Sequence, residues 1–97
     1  SLELAFQAIA ALQPAPDAVF LITDGLPTQD VSGSQTGGVS GRERIRLFGT
    51  AVSRLPKSVP VNVILFPMEG DPLAASSFWQ LARSTGGVFM SPSEDWP

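Results

Sequence analysis

The sequence predicts a small α/β domain built on a parallel sheet. Two observations carry this. Helix-period and strand-period segments alternate along 97 residues, and strands alternating with helices imply parallel strands joined by right-handed crossovers. The second is the run Ala18-Val19-Phe20-Leu21-Ile22, followed at once by Thr23-Asp24-Gly25. A short, uniformly apolar run reads as a strand buried on both faces, as in parallel sheets. Asp24 then stands at the carboxyl end of a strand, where open α/β sheets bind ligands.

Leu2, Ala5, Phe6, Ile9 and Leu12 follow helical spacing, with Ser1 as a possible N-cap, and Pro14 and Pro16 end that helix. The strand Ala18–Thr23 follows. Residues 26–40 are rich in Pro, Gln, Ser, Thr and Gly and read as a long flexible loop. Ser40 and Glu43 form a capping box opening the next helix. Ile45, Phe48, Val52 and Leu55 share one face of it, Arg42, Arg46 and Arg54 point to solvent, and Pro56 stops it. A second apolar run spans Val59–Phe66, with Asn62 as its one polar member. Asp71-Pro72 opens a third helix with Ala74, Phe78, Leu81 and Ala82 as its buried stripe, and Gly86-Gly87 ends it. Val88–Met90 is a short final strand, and a polar tail containing Glu94, Asp95 and Trp96 follows. The order is α-β-α-β-α-β. Three parallel strands are few for a doubly wound sheet, and the first helix has no strand before it. The chain therefore reads as a partial, Rossmann-like fold from which N-terminal strands are missing.

Composition narrows the function. Apolar residues make up 43%, enough for a core. With 6 basic and 9 acidic residues the net charge is −3, which argues against a nucleic-acid surface. There is no cysteine and no histidine. This excludes disulfides, thiolate metal sites and the usual zinc ligands, and no Ser-His-Asp or Cys-His mechanism can be assembled from these residues. No apolar run approaches the ~20 residues of a membrane helix.

The remaining motifs have plain readings. Gly37-Gly38-Val39-Ser40-Gly41 lacks the Lys-Ser/Thr ending of a phosphate loop. An aspartyl-nucleophile phosphatase needs a second Asp two residues before Asp24, where Ile22 stands. Phe78 and Trp79 read as core. Asp24 itself has an alternative role, capping the turn that follows it through its own backbone; Thr23 reads as a strand residue, and Thr28 either faces the site or serves as a turn residue after Pro27.

Taken in order, Leu2–Ile9, Val19–Gly25 with Pro27-Thr28, Val61–Phe66, Phe78–Ala82 and Thr85-Gly86-Gly87 resemble the C-terminal half of a von Willebrand factor type A (integrin I-like) domain, over most of residues 1–97. The resemblance implies a protein-interaction module, not an enzyme. In that family a divalent cation, usually Mg²⁺, sits on the carboxyl edge of the sheet in a MIDAS-like site and is completed by an acidic residue of the partner. Its ligands come from an Asp-x-Ser-x-Ser motif, a loop Thr, and the Asp of the Thr-Asp-Gly strand end. Asp24 matches the third, as a metal ligand either direct or acting through water. Asp30-Val31-Ser32-Gly33-Ser34 spells the first motif but lies after the third, without a strand before it. The first two motifs are thus expected in the missing N-terminal half of the domain. Two alternatives stand beside this reading: a piece of an α/β enzyme with its catalytic residues elsewhere, or a structural domain with a degenerate metal site. The compartment is left open, although similar proteins are often membrane-attached or extracytoplasmic. Half a parallel sheet also has an unpaired edge and an uncovered face, so homo-oligomers or strand exchange are expected.

Overall fold

The computed structural model describes residues 1–27, 40–66 and 73–92. The chain is α/β and carries a three-stranded parallel sheet. Its elements run α1 (Leu2–Ala10), β1 (Val19–Thr23), α2 (Gly41–Val52), β2 (Val61–Leu65), α3 (Ala74–Thr85) and β3 (Phe89–Met90). They fall into two compact units, one of Ser1–Pro16 with Leu26–Lys57 and the other of Asp17–Gly25 with Ser58–Pro97. The long loop expected over 26–40 and the Asp71-Pro72 helix opening lie largely or wholly outside the described residues.

The first unit is a helix pair. The Ser1 hydroxyl caps α1 by accepting from the Leu4 amide at 3.1 Å, and α1 packs against α2. Their buried residues are Glu3 and Phe6 from α1, and Leu47 and Ala51 from α2. This corrects the apolar faces expected from sequence. Ala5 and Leu12 are exposed, as is Ile45, while Phe48, Val52 and Leu55 are half-buried. The burial of Glu3 rests on an ion pair. The Arg54 guanidinium donates to the Glu3 carboxylate at 3.0 Å, which lets an acidic side chain take a buried position that apolar spacing alone would leave to a hydrophobe. Arg42, Arg46 and Arg54 are exposed. Arg44 is half-buried and donates to the Leu26 carbonyl at 2.8 Å.

Ser40 caps α2, the half of the expected capping box that its hydroxyl supplies. The Ser40 hydroxyl accepts from the Glu43 amide at 3.1 Å, and the Glu43 carboxylate pairs with Arg46 one turn on, at 2.9 Å from its Nε. Both interactions are exposed, and the cap is the stronger, because it answers an amide with no intrahelical partner. Replacing Ser40 with Ala is expected to destabilise the helix pair by about 1 kcal/mol, and Ser40→Asp to keep most of the stability, since a carboxylate accepts from the same amide; urea denaturation followed by far-UV circular dichroism measures both.

The second unit holds the sheet, in the order β1-β2-β3. The register pairs Val19 with Val61 through Thr23 with Leu65, then Val63 with Phe89 and Ile64 with Met90. α3 packs on β2 and β3. Its buried Ala74, Phe78, Leu81 and Ala82, the stripe expected from sequence, form the core with Val61, Val63 and Leu65. The helix closes on Gly86, whose φ of +84° is the left-handed cap conformation that glycine adopts without strain. The Gly87 amide reaches back to the Ala82 carbonyl at 2.7 Å and the Gly86 amide to the Arg83 carbonyl at 3.3 Å, the paired bonds of a Schellman ending. Thr85 ties this end to the sheet, its hydroxyl accepting from the Val61 amide at 2.9 Å.

Two expectations fail here. Trp79 is not core. It is half exposed on α3, with the Arg83 guanidinium 5.3 Å from its ring centroid, because only its neighbour Phe78 falls on the buried stripe. β1 is not buried on both faces either. Val19 is buried, while Phe20 and Ile22 are exposed. Successive strand side chains leave opposite faces of a sheet, and the face carrying Phe20 and Ile22 is not the one that supplies the core.

Candidate functional site

Parallel strands bring their carboxyl ends to one edge of the sheet, here marked by Thr23, Leu65 and Met90. Asp24 follows β1 at that edge, where the sequence placed it. Its backbone is held from both sides. The Thr23 carbonyl accepts from the Phe66 amide at 2.9 Å, which prolongs the β1–β2 ladder to the last strand residue. The Thr23 hydroxyl donates to the Gly25 carbonyl at 3.1 Å and accepts from the Gly25 amide at 3.4 Å.

Turn closure is therefore the work of Thr23, not of Asp24 as the alternative reading had it. A hydroxyl can both donate and accept across two residues, whereas a carboxylate only accepts. The consequence is chemical. Asp24 is exposed, and among the described residues its carboxylate has no hydrogen-bond or ion-pair partner, so its oxygens remain available to a ligand while its backbone is fixed.

One carboxylate does not make a Mg²⁺ site, since that ion requires octahedral oxygen coordination and usually takes one or two carboxylates with several waters. Among the described residues no group of three His, Cys, Asp or Glu side chains could hold a metal. Thr28, Asp30, Ser32 and Ser34 lie outside the described residues, as do Glu94, Asp95 and Trp96. Among the described residues Asp24 is thus a single exposed carboxylate at the strand end, on a backbone held by the Thr23–Gly25 hydrogen bonds.

A second polar feature of the sheet was only half legible. Asn62, the one polar residue of β2, bridges both neighbouring strands. Its Nδ2 donates to the Val19 carbonyl at 3.4 Å and its Oδ1 accepts from the Val88 amide at 3.0 Å. The signal in the sequence was an amide set alone in a Val/Ile run; its partners, 43 and 26 residues away, could not be found there. Asn62 stitches the strands and has no place in the ligand edge. Among the described residues no helix is long and apolar enough to cross a membrane. No protein-family model, curated protein or solved structure matches the chain.

Proposed function

We propose that these residues form the C-terminal half of a von Willebrand factor type A domain, a protein-binding module in which Asp24 contributes one ligand to a Mg²⁺ ion that the partner's acidic residue completes. The observation that supports this most is Asp24 itself: an exposed carboxylate without a partner among the described residues, on a backbone pinned by Thr23, at the carboxyl edge of a parallel sheet. Mg²⁺ when bound supplies a positive, oxygen-seeking centre. Asp24 would hold it through its carboxylate, and Thr23 fixes the backbone that carries Asp24 by bonding the Gly25 backbone. On this reading the sheet is the second half of a doubly wound one, and the Asp-x-Ser-x-Ser and Thr motifs lie outside these 97 residues. Binding rather than catalysis fits a chain with neither His nor Cys.

The test is made in the full-length protein that carries this chain. Loss of even an outer-shell partner costs ~10–100-fold in metal affinity, so Asp24→Ala is expected to lower Mn²⁺ or Mg²⁺ affinity at least tenfold in calorimetry, and to abolish metal-dependent capture of partner protein. Unchanged metal affinity in a variant that melts like the parent would refute the assignment.

A further inference from the structure

The turn after β1 carries a chemistry that needs no ligand. Asp24-Gly25 is the one Asp-Gly pair in the sequence. In such a pair the Gly amide nitrogen can attack the side-chain carboxyl carbon of the Asp, because glycine has no Cβ to crowd the approach. An N–Cγ bond forms, and the carboxyl hydroxyl leaves with the amide proton as water. Water then opens the cyclic imide. Addition at Cγ restores aspartate. Addition at the main-chain carbonyl leaves the chain running through Cβ and Cγ, with the former main-chain carboxyl as the side chain. The water lost is regained, so conversion to isoaspartate changes neither mass nor oxidation state.

We infer that Asp24 is a site of isoaspartate formation and that the Thr23 hydroxyl sets its rate. Asp24 is exposed, and its carboxylate has no hydrogen-bond or ion-pair partner among the described residues, so it is free to turn onto its own backbone. The Gly25 amide that it must meet is held by the Thr23 hydroxyl at 3.4 Å, longer than the usual range of about 2.7–3.2 Å. The same hydroxyl donates to the Gly25 carbonyl at 3.1 Å, so it restrains the peptide units on both sides of Gly25. Attack requires the first of these planar units to rotate about the Asp24 Cα–C bond and its nitrogen to give up the proton. Both steps break the bond to Thr23. The fold also closes the competing site. Asn62 is the one Asn of the chain, and an amide side chain ordinarily cyclises faster than a carboxyl. Its Nδ2 and Oδ1 are committed to the Val19 carbonyl and the Val88 amide. The nitrogen that would attack it, that of Val63, donates to the Val88 carbonyl at 2.8 Å and carries a β-branched side chain beside it. Asp17 is exposed as Asp24 is, but Ala18 follows it and places a Cβ next to the attacking nitrogen. Isomerisation at Asp24 lengthens the main chain by one carbon at the end of β1 and moves the carboxylate, so the turn that Thr23 closes is lost. The inference holds whether or not Asp24 ligates a cation.

The test ages the full-length protein that carries this chain at neutral pH, with a chelator present so that no cation holds the carboxylate. Proteolysis and mass spectrometry after ageing in heavy-oxygen water, with enzymatic methylation of isoaspartyl carboxyls, locate the product. Isoaspartate is expected at Asp24 before Asp17 or Asn62. Thr23→Val, which keeps the side chain's shape and loses its hydroxyl, is expected to raise the initial rate about two- to tenfold, the net worth of one hydrogen bond. Thr23→Ser is expected to keep the parent's rate, and thermal melts check that both variants keep the fold. Asp24→Glu is expected to remove the signal, since its longer side chain closes a larger ring more slowly. An Asp24 that stays unconverted in the parent and in Thr23→Val overturns the inference. Equal rates in the parent and Thr23→Val overturn it too, as does earlier conversion at Asn62. A parallel rise at Asp17 in Thr23→Val means general loosening of the fold and overturns the role of Thr23.

Discussion

Replacing Phe78 with Ala should unfold the sheet unit or bring it close to unfolding. Phe78 is fully buried on α3, among the largest side chains of the core, with Val61, Val63 and Leu65 completing that core from β2. Its truncation removes the transfer free energy of the ring and leaves a cavity, together about 3–5 kcal/mol. Whole domains have only ~5–15 kcal/mol of stability, and small ones sit at the bottom of that range. Guanidinium denaturation followed by circular dichroism is expected to show either no folded baseline or a midpoint lowered by that amount. The next residue supplies the control. Trp79 is larger but half exposed, with Arg83 stacked on it, and an exposed cation–π contact is worth only ~0.5–1 kcal/mol. Trp79→Ala should therefore cost less than half as much. Equal losses at the two positions would mean that α3 does not present Phe78 to the sheet.

Gly87→Ala should be nearly as damaging, for a different reason. A Cβ on Gly87 would overlap the Val61 carbonyl oxygen and carbon, far inside van der Waals contact, and stand close to the Asn62 amide nitrogen. All three are backbone atoms of the central strand, so no side chain can swing away. The chain between α3 and β3 must instead move off β2, which disturbs the Gly87–Ala82 hydrogen bond and the anchoring of Thr85 on Val61. Overpacking typically costs ~1–3 kcal/mol and more where backbone must shift; a loss of at least 3 kcal/mol is expected. Gly49, in the interior of α2 with nothing within 4 Å of its would-be Cβ, should behave in the opposite way. There Ala is expected to stabilise by about 0.5–1 kcal/mol, the helix penalty of glycine. Thermal melts of the two single variants should move in opposite directions, and a neutral Gly87→Ala would mean that β3 is not held tightly against β2.

Local signals were legible and long-range ones were not. The Ser40 cap and the Gly86 ending each depend on residues within one or two turns, so their chemistry is written in adjacent letters. The Ala74–Ala82 stripe is equally local, since helix period alone assigns it. Glu3 was missed because what permits its burial, Arg54, lies 51 residues away. Asn62 was visible as an oddity, but its function as a clamp depends on Val19 and Val88, which meet it only when the sheet forms. At the ligand edge the position of Asp24 followed from the run that precedes it, while the assignment of turn closure to Thr23 required the hydroxyl's geometry.

By itself the sequence determined an α/β chain with strands in parallel, a turn directly after β1 and a carboxylate at the strand end, because period, turn chemistry and crossover handedness are properties of short segments. It could not decide what each face of β1 meets. Five apolar residues in a row are apolar on both sides, and nothing within such a run distinguishes the side that a helix will cover from the side left open. Only the tertiary structure decided that, by setting Val61, Val63 and Leu65 in the core with α3 and leaving Phe20 and Ile22 in water. The same cause separates two features of the sheet: the position of Asp24 follows from chain direction, and the exposure of Phe20 and Ile22 follows from which side the core occupies.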